Sequence, residues 1–134
     1  MHRSKDILKL SLHMSKFKDV VIIDLVQWLL DYNNIALTNG DDYCLFELDS
    51  PGVYSGHYFC NNHGRKVIDF SKECLNYIFT ETPCRVLKGL TPEDKKAAKW
   101  MSRQVGFTSY GIVTTDLGPH TLFILTKKEW ETKQ

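Results

Sequence analysis

The sequence predicts an α+β fold with the element order β-α-βββ-α-β-α-ββ. Three observations carry it: three short apolar runs separated by turn residues between 35 and 60, a helical periodicity after Gly64, and a second one after Pro92 that leads into two β-rich segments. At 134 residues, with 43% apolar and 25% charged side chains, residues 1–134 are expected to form a single domain. A chain of this size buries roughly two thirds of its unfolded surface, enough for a core without disulfides or a structural metal. The 17 basic and 16 acidic residues leave a net charge of +1. That balance excludes the strong basic field by which nucleic-acid-binding domains gather phosphates, and it gives no pull toward an acidic membrane.

The first element is open between two readings. Leu8, Leu10, Leu12 and Met14 alternate with Lys9, Ser11 and His13, the period of a half-buried strand, while Ser4 or Asp6 could cap a short helix instead. From Asp19 to Tyr32, Val20, Ile23, Val26, Leu29 and Leu30 recur at helical spacing, and Asn33-Asn34 stops the helix. The apolar stretch Val20 to Leu30 is interrupted by Asp24 and Gln27 and falls short of the roughly 20 residues of a bilayer span. The charged start Met1 to Asp6 leads into no apolar run with a small-residue cleavage site, so no signal peptide and a cytoplasmic location are expected. Cys44, Cys60, Cys74 and Cys84 form no short-spaced pairs and suit free, buried thiols in a reducing compartment.

Ile35 to Thr38, Tyr43 to Leu48 and Val53 to Cys60, joined by Asn39-Gly40-Asp41 and Asp49-Ser50-Pro51-Gly52, read as an antiparallel meander. Val67, Phe70, Cys74, Leu75 and Ile78 then mark one face of a helix ending before Pro83. Cys84 to Leu87 is a short strand. Thr91-Pro92-Glu93-Asp94 supplies an N-cap, a proline at the first helical position and first-turn acids, so a helix is expected from Pro92 to Val105, closed by Gly106. Phe107 to Thr115 and Thr121 to Thr126 are the last strands, followed by a charged tail. Trp28, Leu29, Leu30, Trp100 and Met101 are expected to pack in the core, and Lys95, Lys99 and Arg103 to form a solvated stripe.

The junction Asn61-Asn62-His63-Gly64-Arg65-Lys66-Val67 carries the most chemistry. A strand passing through a glycine into a basic helix start presents unbonded N–H groups and two cations, a place where a phosphate can sit; plain turn geometry is the alternative. His57, Cys60 and His63 form His-x-x-Cys-x-x-His, but side chains three apart on a strand point to opposite faces and no second pair supplies a fourth ligand, so no metal site is expected.

The element order, the strand-Gly64-Arg65-Lys66-helix junction, Ala97-Ala98 and Gly106-Phe107 together resemble the Gcn5-related N-acetyltransferase (GNAT) family over Ile35 to Trp130. Residues 1–34 make a shortened N-terminal part and residues 35–130 the core. The resemblance implies a mixed, mostly antiparallel sheet flanked by helices, acetyl-coenzyme A as cofactor and a primary amine as acceptor. It implies coenzyme contacts from Phe59, Cys60, His63, Gly64, Arg65, Lys66, Val67 and Lys95. Backbone N–H groups around Phe59 and Cys60 would serve as oxyanion donors, and His57 would be the base. A histidine simply hydrogen-bonded at a strand end is the alternative for His57. Only the central glycine of the family's pyrophosphate loop is matched, and Lys95 and Ser102 stand where the family usually has asparagine and tyrosine. Serine is a far weaker acid than a phenol, so Tyr110 or water is expected to protonate the leaving sulfur.

The ending Gly118-Pro119-His120 to Trp130 resembles small acetyltransferase-like proteins of bacteriophages. That resemblance implies a second possibility, an inactive accessory or virion-assembly protein with a phage structural protein as partner. The C-terminal strands and Trp130 also offer an edge for a homodimer.

Overall fold

Pairing of short, β-branched and aromatic runs produces one sheet. The computed structural model describes residues 2–3, 27–28, 30–31, 33–60, 62 and 64–133. Among them, seven strands lie in the order β1-β2-β3-β4-β5-β7-β6. They are β1 (His2–Arg3), β2 (Ile35–Thr38), β3 (Tyr43–Ser50), β4 (Val53–Phe59), β5 (Val86–Pro92), β6 (Thr108–Thr115) and β7 (Gly118–Thr126). The helices are α1 (Arg65–Glu81), α2 (Lys96–Gln104) and α3 (Lys127–Thr132).

All neighbouring strands are antiparallel except β4 and β5, which run parallel and are joined by α1. A parallel pair needs such a crossover, and right-handed crossovers advancing in one direction place α1 and α2 on the same face of the sheet. The core lies there. Phe46, Tyr54, Leu87 and Leu125 from the strands meet Phe70, Cys74, Leu75, Ile78 and Phe79 from α1 in one buried cluster. The four cysteines are unbridged, with Cys44, Cys74 and Cys84 buried.

Directly opposed residues share a face, so the register sorts the side chains. Tyr54, Leu87 and Leu125 lie level and face the helices. Gly56, Gly89 and Phe123 follow on that face, and His57, Lys88, Leu90 and His120 project from the opposite one.

Several expectations need correction. The strand placed at Cys84 to Leu87 runs from Val86 to Pro92, and the helix expected from Pro92 begins at Lys96. Cross-strand pairing wins over the capping signal: Thr91 pairs with Thr121 and Pro92 with His120, so the proline ends a strand instead of opening a helix. The charged tail is the helix α3. Thr126 and Glu129 form a capping box, with Glu129 N–H donating to Thr126 Oγ1 at 3.1 Å and Thr126 N–H to Glu129 Oε1 at 3.3 Å. This cap turns Trp130 inward to stack on Phe79 at a centroid distance of 5.2 Å.

The strand or helix expected near 8–14 lies outside the described residues, as does most of the helix expected over Asp19 to Tyr32. Its end is visible: Gln27, Trp28 and Leu30 are helical, and Asn34 Nδ2 donates to Trp28 O at 3.0 Å where the helix was expected to stop. Pairing of His2 and Arg3 with Thr38 and Leu37 was not foreseen, because two residues show no period. Leu30 and Trp100, expected inside, are 67% and 51% exposed. Trp100 sits on the outward side of α2, whose inward residues are Ala98, Met101 and Ser102. Of the expected solvated stripe, Lys95 and Arg103 are exposed, Arg103 with its guanidinium 5.6 Å from the Phe123 ring centroid, whereas Lys99 is half-buried and its Nζ pairs with Glu93 at 3.2 Å.

Gly56 lies against Phe46. A Cβ added there would come within 3.2 Å of Phe46 Cε1, so the fully buried ring fills the space that the glycine leaves. Phe46→Ala is therefore expected to cost about 3–5 kcal/mol in urea denaturation. A loss below about 1 kcal/mol would contradict this packing.

Candidate active site

The parallel ladder between β4 and β5 is short. It pairs Val53 with Val86, Tyr54 with Leu87 and Ser55 with Lys88, and goes no further. Beyond that rung β4 stays bonded to β3 as far as Phe59 and β5 stays bonded to β7 as far as Pro92. The two halves of the sheet therefore diverge, and backbone amides on the inner side of each strand face a gap instead of a neighbour. Glycines stand at its apex: a Cβ on Gly89 would lie 3.5 Å from Gly56 O. On the face away from the helices, Asp49 ties the last rung together by bonding Lys88 Nζ at 3.2 Å and accepting the Ser55 hydroxyl.

A cavity of about 430 Å³ occupies this gap. Gly56 to Phe59 form one wall, Leu87 to Pro92 the other, and Lys95, Ala98, Met101 and Ser102 of the α2 region close the helix side. Phe107, Leu117, His120 and Phe123 complete the lining. Because His57, Leu90 and His120 belong to the opposite sheet face, the cavity passes through the sheet and has a helix side and a far side.

Past Phe59 a loop leads to α1. Asp42, fully buried, holds this loop by accepting from Asn62 N–H at 3.0 Å and Asn62 Nδ2 at 2.9 Å. Gly64 then adopts φ 64° and ψ −130°, a conformation that side-chain-bearing residues avoid. It offers no side-chain cap, the first turn holds no acid, and the first helical bond is Ile68 N–H to Gly64 O. The N–H groups of Arg65, Lys66 and Val67 thus have no helical acceptor, and the exposed Arg65 and Lys66 add two positive charges.

This sheet, with its helices, aligns with solved acetyltransferases. The chain has the Gcn5-related N-acetyltransferase fold. Aminoglycoside acetyltransferase AAC(6')-Ib in complex with coenzyme A aligns with TM-score 0.73 at 17% identity, over 95% of this chain and 92% of that one. Spermidine N-acetyltransferase SpeG from Vibrio cholerae, as its F149A mutant, aligns with TM-score 0.79 at 8% identity, over 98% and 97%. An uncharacterised protein from Bacillus halodurans aligns with TM-score 0.75 at 13% identity, over 98% and 85%. No protein-family model matches the sequence, and no curated protein matches it.

Of the residues read from the sequence, the acetyltransferase fold brings His57, Phe59 and Lys95 to the cavity. Gly64, Arg65 and Lys66 form the exposed start of α1 a short loop away, while Val67 is buried beneath it. Cys60 lies in the connecting loop, outside the lining. His63 is outside the described residues. Tyr110 is 59% exposed on β6 and does not line the cavity, because β6 is the sheet edge, separated from β5 by β7. Sequence reading passed over His120, Leu117 and Phe123; carrying the two-residue period of β7 back from Ile124 and Leu122 would have put His120 on the far face. The Asp42–Asn62 clasp left no local signal, since its partners are 20 residues apart.

The electrostatics separate bases from inert groups. His57 is solvent-exposed but crowded, and desolvation lowers its pKa from 6.5, against opposing pulls from Glu47 and Asp49. It is therefore neutral at pH 7 and able to accept a proton. Burial, with the charge of Asp42 adding to it, pushes the Cys60 thiol up to about 12, which removes it as a nucleophile. Ser102 commits its hydroxyl to Ala98 O at 3.2 Å.

Glu93 anchors the entry to α2. It accepts from Thr121 Oγ1 and from Lys99 Nζ at 3.2 Å, and these bonds, Thr121 first, lower its pKa from 4.5. A depressed carboxylate stabilises the fold above its unfolded pKa and loses that contribution as pH falls through the folded value. Glu93→Gln should lower the melting temperature at pH 7, and the difference from wild type should shrink as pH drops below about 4.5. A difference that stays constant from pH 7 to pH 3 would show that the charge on Glu93 does not matter.

Proposed function

We propose that this protein is an acetyl-coenzyme A-dependent N-acetyltransferase that acts on a primary amine by direct transfer. The observation that carries the reading is the gap through the sheet, which gives two reactants separate entrances that meet at one point. The groups present suit the coenzyme. The uncapped start of α1 with Arg65 and Lys66 would hold its pyrophosphate, and the narrow, mostly apolar gap flanked by inner-edge amides would take its pantetheine arm. Lys95 stands at the helix side, where a further phosphate would be met. When bound, the coenzyme supplies an activated acetyl thioester.

The remaining work falls to this chain. His57 faces the far side, takes a proton from the acceptor's ammonium group and leaves a nucleophilic nitrogen. Backbone N–H groups along the gap would donate to the thioester oxygen as charge develops there. Holding both reactants in line is itself a large part of catalysis.

A second reading, a scaffold without activity that binds a protein partner such as a phage structural protein, is favoured by one observation. Neither Ser102, bonded to its own helix, nor Tyr110, on the outer edge, is positioned as a strong acid at the cavity. Water at the open mouth meets that need in the enzyme reading.

Calorimetric titration with acetyl-coenzyme A separates the two. Wild type should bind in the micromolar range, and Gly64→Trp should bind at least about tenfold more weakly while staying folded, because the new side chain opposes the φ 64° backbone. No binding by folded wild type would support the scaffold. In the enzyme, His57→Ala should lower kcat about 10²–10⁴-fold. The acidic limb of the wild-type pH profile should lie below pH 6.5, following the lowered pKa of His57; a limb above 6.5 would assign the base elsewhere.

A further inference from the structure

His57 is one of two histidines at the far mouth of the cavity. The other, His120, enters from β7 on the same sheet face and is 8% exposed. Its Nδ1 lies 2.9 Å from Gly118 O and 3.3 Å from Thr115 Oγ1. The Thr115 hydroxyl already donates to Gly118 O, so both neighbours of Nδ1 are acceptors and Nδ1 carries the proton. Nε2 is left with its lone pair, and no described residue hydrogen-bonds to it. A half-satisfied imidazole, fixed in tautomer by a turn and placed in a cavity wall, is arranged to accept a proton.

We propose that His120 is a second proton acceptor of the reaction. The proposal rests on the acetyltransferase reading above. Transfer to an ammonium group removes two protons from nitrogen. His57 takes the first before attack. The nitrogen lone pair then forms the C–N bond, the C–S bond breaks with its electron pair leaving on sulfur, and the second proton passes from the new amide nitrogen to His120 Nε2. Both imidazolium protons return to solvent, from which the sulfur takes one. The hairpin turn from Thr115 to Gly118 acts as the holder: Leu117 N–H donates to Thr115 Oγ1 at 3.2 Å, so the same hydroxyl shapes the turn and sets the tautomer.

Two substitutions divide the possible roles. His120→Asn keeps a donor near Nδ1 for Gly118 O and removes Nε2. His120→Gln keeps a polar group near Nε2 that cannot take up a proton. Thiol release from acetyl-coenzyme A is followed with n-butylamine, spermidine and kanamycin as acceptors, and coenzyme affinity is measured separately by calorimetry. Both variants are expected to lower kcat at least about tenfold, with the coenzyme Kd within about twofold and the melting temperature close to wild type. Full activity in His120→Asn would make the residue a turn anchor, and full activity in His120→Gln would make it a hydrogen-bonding contact; either result overturns the proposal. Coenzyme binding by wild type without turnover of any of the three amines also removes it while leaving the coenzyme site standing. Absence of coenzyme binding removes both.

Discussion

The ladder between β4 and β5 ends at Ser55 and Lys88, and the candidate site is a consequence of that ending. A parallel pair is held by slanted, somewhat weaker bonds than its antiparallel neighbours, and each strand here has an antiparallel partner on its outer side that runs on to Phe59 or Pro92. The outer pairings dictate direction, and the inner one yields. Gly56 and Gly89 allow the closest approach at the apex, while Asp49 fixes it with Lys88 and Ser55. Such a half-exposed ion pair adds at most about 1 kcal/mol, so its contribution is to geometry more than to stability.

Once the strands part, the surrounding groups acquire distinct tasks. Helices on one face of the sheet give the gap a cationic, amide-rich side, and the opposite face gives it two imidazoles. The loop between them is held by the buried Asp42 carboxylate, which bonds Asn62 twice and so connects the β2–β3 turn to the start of α1. Glu93 does the same for α2 through Thr121 and Lys99. α1 and α2 thus each have an acidic residue fixing their approach to the sheet, and neither acid lines the cavity itself.

Much of this was legible in the chain. The meander from Ile35 to Phe59, the buried face of α1 and the glycine-led junction follow from period, turn residues and a basic helix start. The errors have a common physical origin. Thr91-Pro92-Glu93-Asp94 satisfies every local rule for a helix start, but pairing of Thr91 and Pro92 with β7 is a tertiary gain that local rules do not contain. Tyr110 has the chemical type of an acid, and only the strand order, with β7 between β5 and β6, shows that it lies at the edge. His120 is the converse case, since its contacts with Thr115 and Gly118 form only across a hairpin turn. The capping box at Thr126 and Glu129 was a readable signal, and it converts the charged tail into a helix that seats Trp130 on Phe79.

The most direct test of a coenzyme site in the β4–β5 gap is amide chemical-shift mapping of the protein with acetyl-coenzyme A. The structure predicts that the largest changes fall on two groups of amides, Gly56 to Phe59 with Gly89 and Leu90 along the gap, and Arg65 to Val67 at the start of α1. Changes confined to the outer edge β6, or shifts that leave both groups untouched at saturating coenzyme, would contradict it.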